Sequence, residues 1–298
     1  MSTTSATGAT TPARDTARTA PIAPTPEPPA RFTDLLASEW IKLRSLRSTY
    51  WVLLLSALVG IGINVNAVRA DLPYIDQPHP RQGPHPEVWV YDPLYHGLSS
   101  ISGYLMLLAA ASIGAITVFG EYATGMIRTT LSAVPDRNAV MAAKVVLITV
   151  ITTVLGTVVS TCSFFVTNAM LASRHVGLSI HDAGCLRAVA AYALIVPVCA
   201  LIGMAFGAVT RHATASIVGV VALLFIVPLL FGGDRYKLLS EMGHCLPVSA
   251  MERLIVNPHS HTTFGKYPPS VTESWIVLGA WALVSVVVTL VVVRRRDV

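Results

Sequence analysis

The dominant pattern in this chain is a series of long apolar stretches that contain no charged side chain. The six windows are Thr49–Val68, Leu98–Phe119, Val145–Ala172, Ala188–Thr210, Ala213–Phe231 and Trp275–Val293. Each is close to or above the roughly 20 residues that a helix needs to cross about 30 Å of hydrocarbon. The pattern therefore predicts an all-α polytopic membrane protein with six transmembrane helices. Only Arg211 and His212 separate the fourth window from the fifth, so this connection is either a tight turn between two spans or a turn inside the membrane.

The chain ahead of the first window has a different composition. Residues 1–31 are rich in Ala, Thr and Pro and have little apolar surface to bury, so we expect a disordered tail. They lack a basic region followed by an apolar core, which argues against a signal peptide. The domain organisation predicted from composition is thus a tail over 1–31 and one six-helix membrane domain over 32–298.

Phe32–Ser48 predicts an amphipathic helix directly before the first span. Its apolar face includes Trp40 at one boundary, while Lys42 and Arg44 lie on the polar side. Basic residues opposite an apolar face are typical of a helix that lies in the membrane interface. Glu39 falls inside the apolar face, which favours either a contact with a protein partner or snorkelling of its carboxylate towards water.

The segment between the second and third windows concentrates charge, glycine and proline. It predicts a short helix over Thr124–Val134, because Pro135 disfavours helical backbone in the residue before it. Lys144 is expected to anchor the start of the third span at the interface. A short helix between two long spans is suited to transmit movement of a partner into the membrane; the alternative is an ordinary interfacial loop in which Arg128 snorkels.

Composition and charge agree with a membrane protein. Hydrophobic residues make up 53% of the chain and charged residues 12%, against about 25% charged in an ordinary soluble domain. The net charge of +5 is spread along the sequence rather than clustered with aromatic residues, which argues against a nucleic-acid partner. Lys and Arg are densest near the N-terminus, the second loop and the C-terminus, so the positive-inside rule predicts that both termini are cytoplasmic.

Sequence signals for catalysis are missing. Gly265-Lys266 is followed by Tyr267, so no phosphate-binding loop is present, and neither H-E-x-x-H nor G-x-S-x-G occurs. We therefore expect no enzymatic activity from this chain alone and no bound cofactor. The six windows lack an acid or base of the kind that proton-coupled pumps use. No Cys or His spacing resembles a zinc site, and the sequence leaves open whether Cys185 and Cys245 pair.

Small and hydroxylated residues recur on one face of the third window. They are Thr149, Thr152, Thr153, Gly156, Ser160, Ser163 and Thr167. Such a face allows close helix packing and hydrogen bonding across the contact, or it lines a substrate path; both interpretations stay open. Asn64 and Asn66, near the outer end of the first window, are the polar pair that we expect first in contact with substrate.

Two motifs resemble those of a known family. They are Ser38-Glu-Trp-Ile-Lys-Leu-Arg-Ser45, and Glu121-Tyr-x-x-Gly125-x-Ile-Arg128-x-x-Leu-x-x-x-Pro135-x-Arg137. Together with six spans and a long last loop, they resemble the type-2 permease subunits of ATP-binding-cassette exporters, particularly the actinobacterial kind, over roughly residues 32–298. Ala123 and Met126 depart from the commonest form of the second motif.

The resemblance implies a division of roles. The amphipathic helix, with Glu39, Trp40, Lys42 and Arg44, corresponds to the family's connecting helix. The loop after the second span carries the coupling helix that docks on the nucleotide-binding subunit. Glu121, Gly125, Arg128 and Pro135 are then the ATPase-coupling positions.

We therefore expect the membrane subunit of an ATP-driven exporter of a hydrophobic or amphipathic substrate, in the plasma membrane of a bacterium. A second copy or a paralogue of the permease is the expected partner in the membrane. Separate ATPase chains would bind ATP and magnesium. The alternative is a structural or sensory membrane protein that docks a cytoplasmic regulator.

Overall fold

The computed structural model describes residues 31–45, 47–75, 91–98, 100–134, 136–231, 236–258 and 267–295. The predicted tail therefore lies outside the described residues except for Arg31, and Pro135 lies outside them as well. Throughout the described ranges, every regular element is a helix.

Twelve α-helices and one π-turn follow one another along these ranges. They are α1 (Phe32–Ser45), α2 (Arg47–Ile75), α3 (Pro93–Gly97), α4 (Ser100–Thr124), α5 (Met126–Ala133), α6 (Arg137–Ala172), α7 (Cys185–Thr210), α8 (Ala213–Val221), the π-turn (Ala222–Ile226), α9 (Val227–Phe231), α10 (Lys237–His244), α11 (Pro247–Ile255) and α12 (Val271–Arg295). Six helical segments are long and apolar enough to cross a membrane: α2, α4, α6, α7, the continuous run from α8 to α9, and α12. The all-α membrane fold predicted from the apolar windows is confirmed.

Several of these helices extend beyond the uncharged windows. α4 continues to Thr124, and α6 already begins at Arg137. At 36 residues, α6 is about 54 Å long, so it projects beyond about 30 Å of hydrocarbon. Glu121 and Lys144 therefore belong to the long helices rather than to a loop. Both residues lie just beyond the uncharged windows, in the extensions of these helices.

α7 lies at the centre of the bundle, and it contacts α4, α6, α8, α11 and α12. Glycine allows its close approach to α4. A Cβ atom added at Gly203 would fall 1.9 Å from the backbone oxygen of Ala111, and one added at Gly114 would fall 1.9 Å from that of Ala200. Because each helix supplies one glycine, backbone meets backbone on both sides of the contact, and neither position has room for a side chain.

The fifth span is interrupted by the π-turn, and Pro228 explains the interruption. Proline has no N–H to donate and its ring clashes with the carbonyl four residues earlier, so the α-helical hydrogen-bond pattern cannot continue there. One turn of the helix instead contains an extra residue, and the Val227 amide donates to the carbonyl of Ala222. Before this span, Arg211 adopts a left-handed φ of 53°, which ends α7 and turns the chain into α8.

Because successive spans alternate in direction, the short helices collect at two ends of the bundle. α1 and α5 lie at one end, hereafter the α1–α5 end, and α3, α10 and α11 lie at the opposite end. α11 is packed into the fold: Arg187 of α7 donates to the carbonyls of Leu254 at 3.0 Å and Val256 at 2.6 Å.

Candidate functional site

The interfacial helix α1 packs on the beginning of α6. Leu35 is buried there with Val140 and Ala143, which gives α1 a fixed position against a spanning helix. Trp40 is 47% exposed and points away from this contact. α1 therefore has one face against the bundle and a separate aromatic face turned outward, as an interfacial helix requires.

Four charged side chains meet where α1, α4 and α6 converge. Lys144 Nζ lies 2.5 Å from Glu39 Oε2 and 2.9 Å from Glu121 Oε1. Lys42 Nζ lies 2.7 Å from Glu39 Oε1 and 3.1 Å from the same Glu121 oxygen. We call Glu39, Lys42, Glu121 and Lys144 the charged cluster. Each lysine bridges both carboxylates, so the cluster ties three helices together at one point.

Burial makes the pairing in this cluster obligatory. Glu39 and Lys144 are 3% and 4% exposed, and Glu121 is also buried. A buried charge without a partner is expensive, whereas two acids with two lysines cancel. Burial alone lowers the pKa of Lys42, but the hydrogen bond to Glu39 and the charge of Glu121 outweigh it, and the net pKa is raised. Lys42 therefore keeps its positive charge at neutral pH.

One carboxylate oxygen of the charged cluster has no hydrogen-bond donor among the described residues. It is the second oxygen of Glu121, Oε2, and it is buried. Glu39 was expected to meet a partner protein or to snorkel; instead it contacts two lysines of its own chain. Its place in the apolar face of α1 was the signal that it needed a partner. Lys144 was expected at the interface; it is buried because it pairs with both carboxylates of the charged cluster.

The short helix α5 follows directly from the cluster. Gly125 has φ 71°, a left-handed conformation that favours glycine, and it separates α4 from α5. Ile127 is buried beneath α5, while Met126 and Thr129 are exposed. Asp136 then accepts hydrogen bonds from two amides and caps α6. The helix predicted over Thr124–Val134 is confirmed over Met126–Ala133, while Thr124 instead ends α4. Among the side chains of α5 that the structure describes, Ile127 is buried and Met126 and Thr129 are open to the outside.

The sequence-predicted coupling positions lie in this region. Glu121 belongs to the charged cluster, Gly125 forms the break, and Arg128 lies within α5. Next to them, the guanidinium of Arg211, at the end of α7, lies 4.5 Å from the ring centroid of Tyr122. Of the predicted interfacial residues, Trp40 and Arg44 are exposed outside the cluster.

A second polar group is enclosed within the spans. Asn64 of α2 donates to Ser163 of α6 at 2.9 Å and accepts from Ser102 of α4. Ser102 also lies 3.0 Å from the hydroxyl of Tyr192 in α7. Four helices thus share one fully buried polar network, in which every member has a partner. Asn64 faces this network, whereas Asn66 is exposed on the other side of α2, so the two do not form a pair.

The small face of the third window points into the same interior. Gly156 and Ser160 are buried, and a Cβ atom added at Gly156 would fall 2.3 Å from the backbone oxygen of Ala193. Thr153 is only partly buried. In this chain the face packs against α7, which is the first of the two interpretations that the sequence left open.

Known proteins and cofactor chemistry give no further guidance. Across the described ranges no group of three His, Cys, Asp or Glu side chains is placed to hold a metal ion, and the four cysteines are free. No protein-family model matches the chain, and no curated protein matches it either. The geometry of the α1–α5 end is therefore the observation that bears on function.

Proposed function

We propose that this chain is the permease subunit of an ATP-driven transporter and that α5 is its docking element for a separate ATPase. The observation that carries the proposal is the attachment of α5 to the bundle. α5 follows Glu121 of the charged cluster within a few residues, and it leads into α6, which supplies Lys144. A force applied to α5 therefore reaches α4 and α6 along the chain, and the buried ion pair between Glu121 and Lys144 holds these two helices together.

The cluster gives this attachment the stiffness that a lever needs. Its ion pairs are shielded from water, and buried pairs are screened far less by salt than surface pairs. α1 joins them through Glu39 and Lys42, so the interfacial helix moves with α4 and α6 as one unit. Nucleotide bound to an ATPase shifts the equilibrium between the two states of the spanning helices only if the contact between the ATPase and α5 differs between those states.

The outer face of α5 suits a protein contact. Met126 and Thr129 are exposed on a helix of only eight residues, whose sequence also includes the positively charged Arg128. Ile127 fixes the helix from below. A short helix with one buried anchor and a mixed apolar and polar outer face fits a groove on a folded partner. The resemblance of Glu121–Arg137 to the coupling loop of type-2 permeases supports the same assignment.

Orientation and substrate class follow from charge and polarity. Arg44, Arg47, Arg137 and Arg294 lie at the α1–α5 end, which the positive-inside rule assigns to the cytoplasmic side of a bacterial plasma membrane. Both termini are then cytoplasmic, and the apolar spans favour export of a hydrophobic or amphipathic substrate. The resemblance to type-2 permeases implies the partners: a second permease, identical or related, that completes the substrate path, and ATPase chains that bind ATP and magnesium.

Co-purification tests the proposal. The tagged chain is extracted from its native membrane in mild detergent, and its partners are identified by mass spectrometry. The test variant is Arg128→Glu on α5. The matched control is Arg69→Glu, which reverses an exposed arginine near the other end of α2.

We expect an ATPase of the ATP-binding-cassette class at near-equal amount with the native chain and with Arg69→Glu, and a loss of at least tenfold with Arg128→Glu. Recovery of the folded chain without an ATPase would contradict the proposal. So would equal recovery of the ATPase with both variants, which would place its contact elsewhere. A regulator of another class in its place would favour the sensory alternative.

A further inference from the structure

A partly buried carboxylate of α11 lies at the opposite end of the bundle. Glu252 of α11 is partly buried and accepts a hydrogen bond from the Tyr104 hydroxyl of α4 at 3.2 Å. Among the described residues it forms no ion pair. This differs from the charged cluster, where every acid meets two lysines.

The nearby arginines are engaged elsewhere. Arg187 donates to the carbonyls of Leu254 and Val256, and Arg253 donates to the carbonyl of Pro269 at 2.8 Å. Burial raises the pKa of Glu252, and the hydrogen bond from Tyr104 only partly opposes this effect. The carboxylate is thus held in a place where its negative charge is disfavoured, and a cation beside it would remove the penalty.

The Tyr104 ring, whose hydroxyl contacts Glu252, also meets a second aromatic ring. The ring centroids of Tyr104 and Phe225 are 5.2 Å apart and the rings are tilted by 40°. Tyr104 therefore joins the acid to a second ring from another element, and the side chains of Glu252, Tyr104 and Phe225 remain partly accessible.

The π-turn supplies one of these rings. Phe225 lies inside Ala222–Ile226, where the extra residue per turn changes the direction of the side chains that follow. π-Turns inside α-helices are found frequently at functional sites. Here the turn sets the direction of the Phe225 ring that meets Tyr104.

We propose that Glu252, Tyr104 and Phe225 form a binding site for a lipophilic organic cation. That such cations are the transported substrate rests on the function proposed above, whereas their binding to this site does not. A carboxylate compensates the positive charge, and aromatic faces attract cations while accepting apolar groups. An inorganic cation fits poorly, since calcium requires six to eight oxygen ligands and magnesium six, and the site offers one carboxylate.

Direct binding to the chain tests the site. The full chain is placed in lipid nanodiscs, and binding of radiolabelled tetraphenylphosphonium is measured by equilibrium dialysis. Nanodiscs without the chain control for partition into lipid, and tetraphenylborate, which has nearly the same shape and the opposite charge, tests whether the charge decides binding to the chain. Glu252→Gln keeps an acceptor for the Tyr104 hydroxyl and removes the charge. Glu241→Gln, at an exposed acid of α10, is the matched control.

The expected result is saturable binding of the cation to the native chain and to Glu241→Gln, weakened at least tenfold in Glu252→Gln at an unchanged melting temperature. Phe225→Leu is expected to weaken it about threefold or more, and this variant decides the outcome if Glu252→Gln does not fold. Equal binding to the native chain and Glu252→Gln would overturn the proposal, as would equal saturable binding of tetraphenylborate after the uptake by nanodiscs without the chain is subtracted. The measurement needs no ATPase, so its failure is distinct from failure of the co-purification.

Discussion

Replacing Lys144 by methionine should strongly destabilise the α1–α5 end. Methionine keeps most of the aliphatic stem but removes the ammonium that lies 2.5 Å from Glu39 and 2.9 Å from Glu121. Glu39 and Glu121 then share the single charge of Lys42. Two acids with one lysine leave an uncompensated negative charge in a buried place.

The magnitude can be worked out in two ways. Each hydrogen bond to a charged group contributes about 1.5–3 kcal/mol, so losing two costs about 3–6 kcal/mol. Removing one partner of a buried ion pair costs about 3–5 kcal/mol. The estimates agree on about 4 kcal/mol, a large share of the 5–15 kcal/mol that is typical of folded proteins.

The assay is equilibrium unfolding in mixed micelles by titration with sodium dodecyl sulfate, followed by tryptophan fluorescence. Lys237→Met is the matched control, because Lys237 is 65% exposed and lies 3.6 Å from Glu241; we expect a change of less than about 1 kcal/mol. Glu39→Gln combined with Lys144→Met leaves Lys42 and Glu121 as a balanced pair. The double variant should therefore be at least about 2 kcal/mol more stable than the sum of the single changes predicts.

Two results would refute this reasoning. A loss below about 1 kcal/mol in Lys144→Met would mean that the cluster is hydrated and behaves like a surface pair. Additive effects of the two substitutions would mean that Glu39 and Lys144 do not interact. Either result would also remove the basis for treating the cluster as the attachment of α5.

Three further predictions concern the bundle. Gly203→Ala places a methyl carbon 1.9 Å from a backbone oxygen of α4, so it should abolish folding or lower the melting temperature by more than 10 °C. Gly279 has no atom within 4 Å of an added Cβ, so Gly279→Ala should leave the melting temperature unchanged or raise it slightly. Asn64→Ala should lower the free energy of unfolding by about 1–2 kcal/mol, because it breaks the buried network, while Asn66→Ala, exposed on α2, should change it by less than about 0.5 kcal/mol. In intact cells Cys245, free and exposed at the opposite end, should react with a membrane-impermeant maleimide; reaction only after lysis would reverse the proposed orientation.

The spanning helices could be predicted because their signal is local. Twenty uncharged apolar residues have few stable alternatives to a membrane helix, and each of the six windows coincides with one of the candidate spanning helices. The helix ends could not be predicted in the same way. Lys144 reads locally as an interfacial residue, and only its pairing with Glu39, 105 positions earlier in the chain, explains its burial.

Polar residues inside the windows show the same limit. An asparagine in an apolar window signals that it needs a partner, but not which helix supplies it. For Asn64 the partners come from α4 and α6, and Asn66, two residues later, has to face the other side of the helix. The small face of α6 was recognisable from its period of 3.6 residues, but its packing against α7 depended on the glycine contact at Gly156.

The most direct test of ATPase docking on α5 is photo-crosslinking in the native membrane. A benzophenone amino acid replaces Thr129, which is exposed on α5, and a second variant carries it at Leu186, which is exposed on α7 at the opposite end. We expect a crosslink from Thr129 to an ATP-binding-cassette ATPase, identified by mass spectrometry, and none from Leu186. A crosslink from Thr129 to lipid alone, or to a protein of another class, would contradict the assignment of α5 as the ATPase-docking helix.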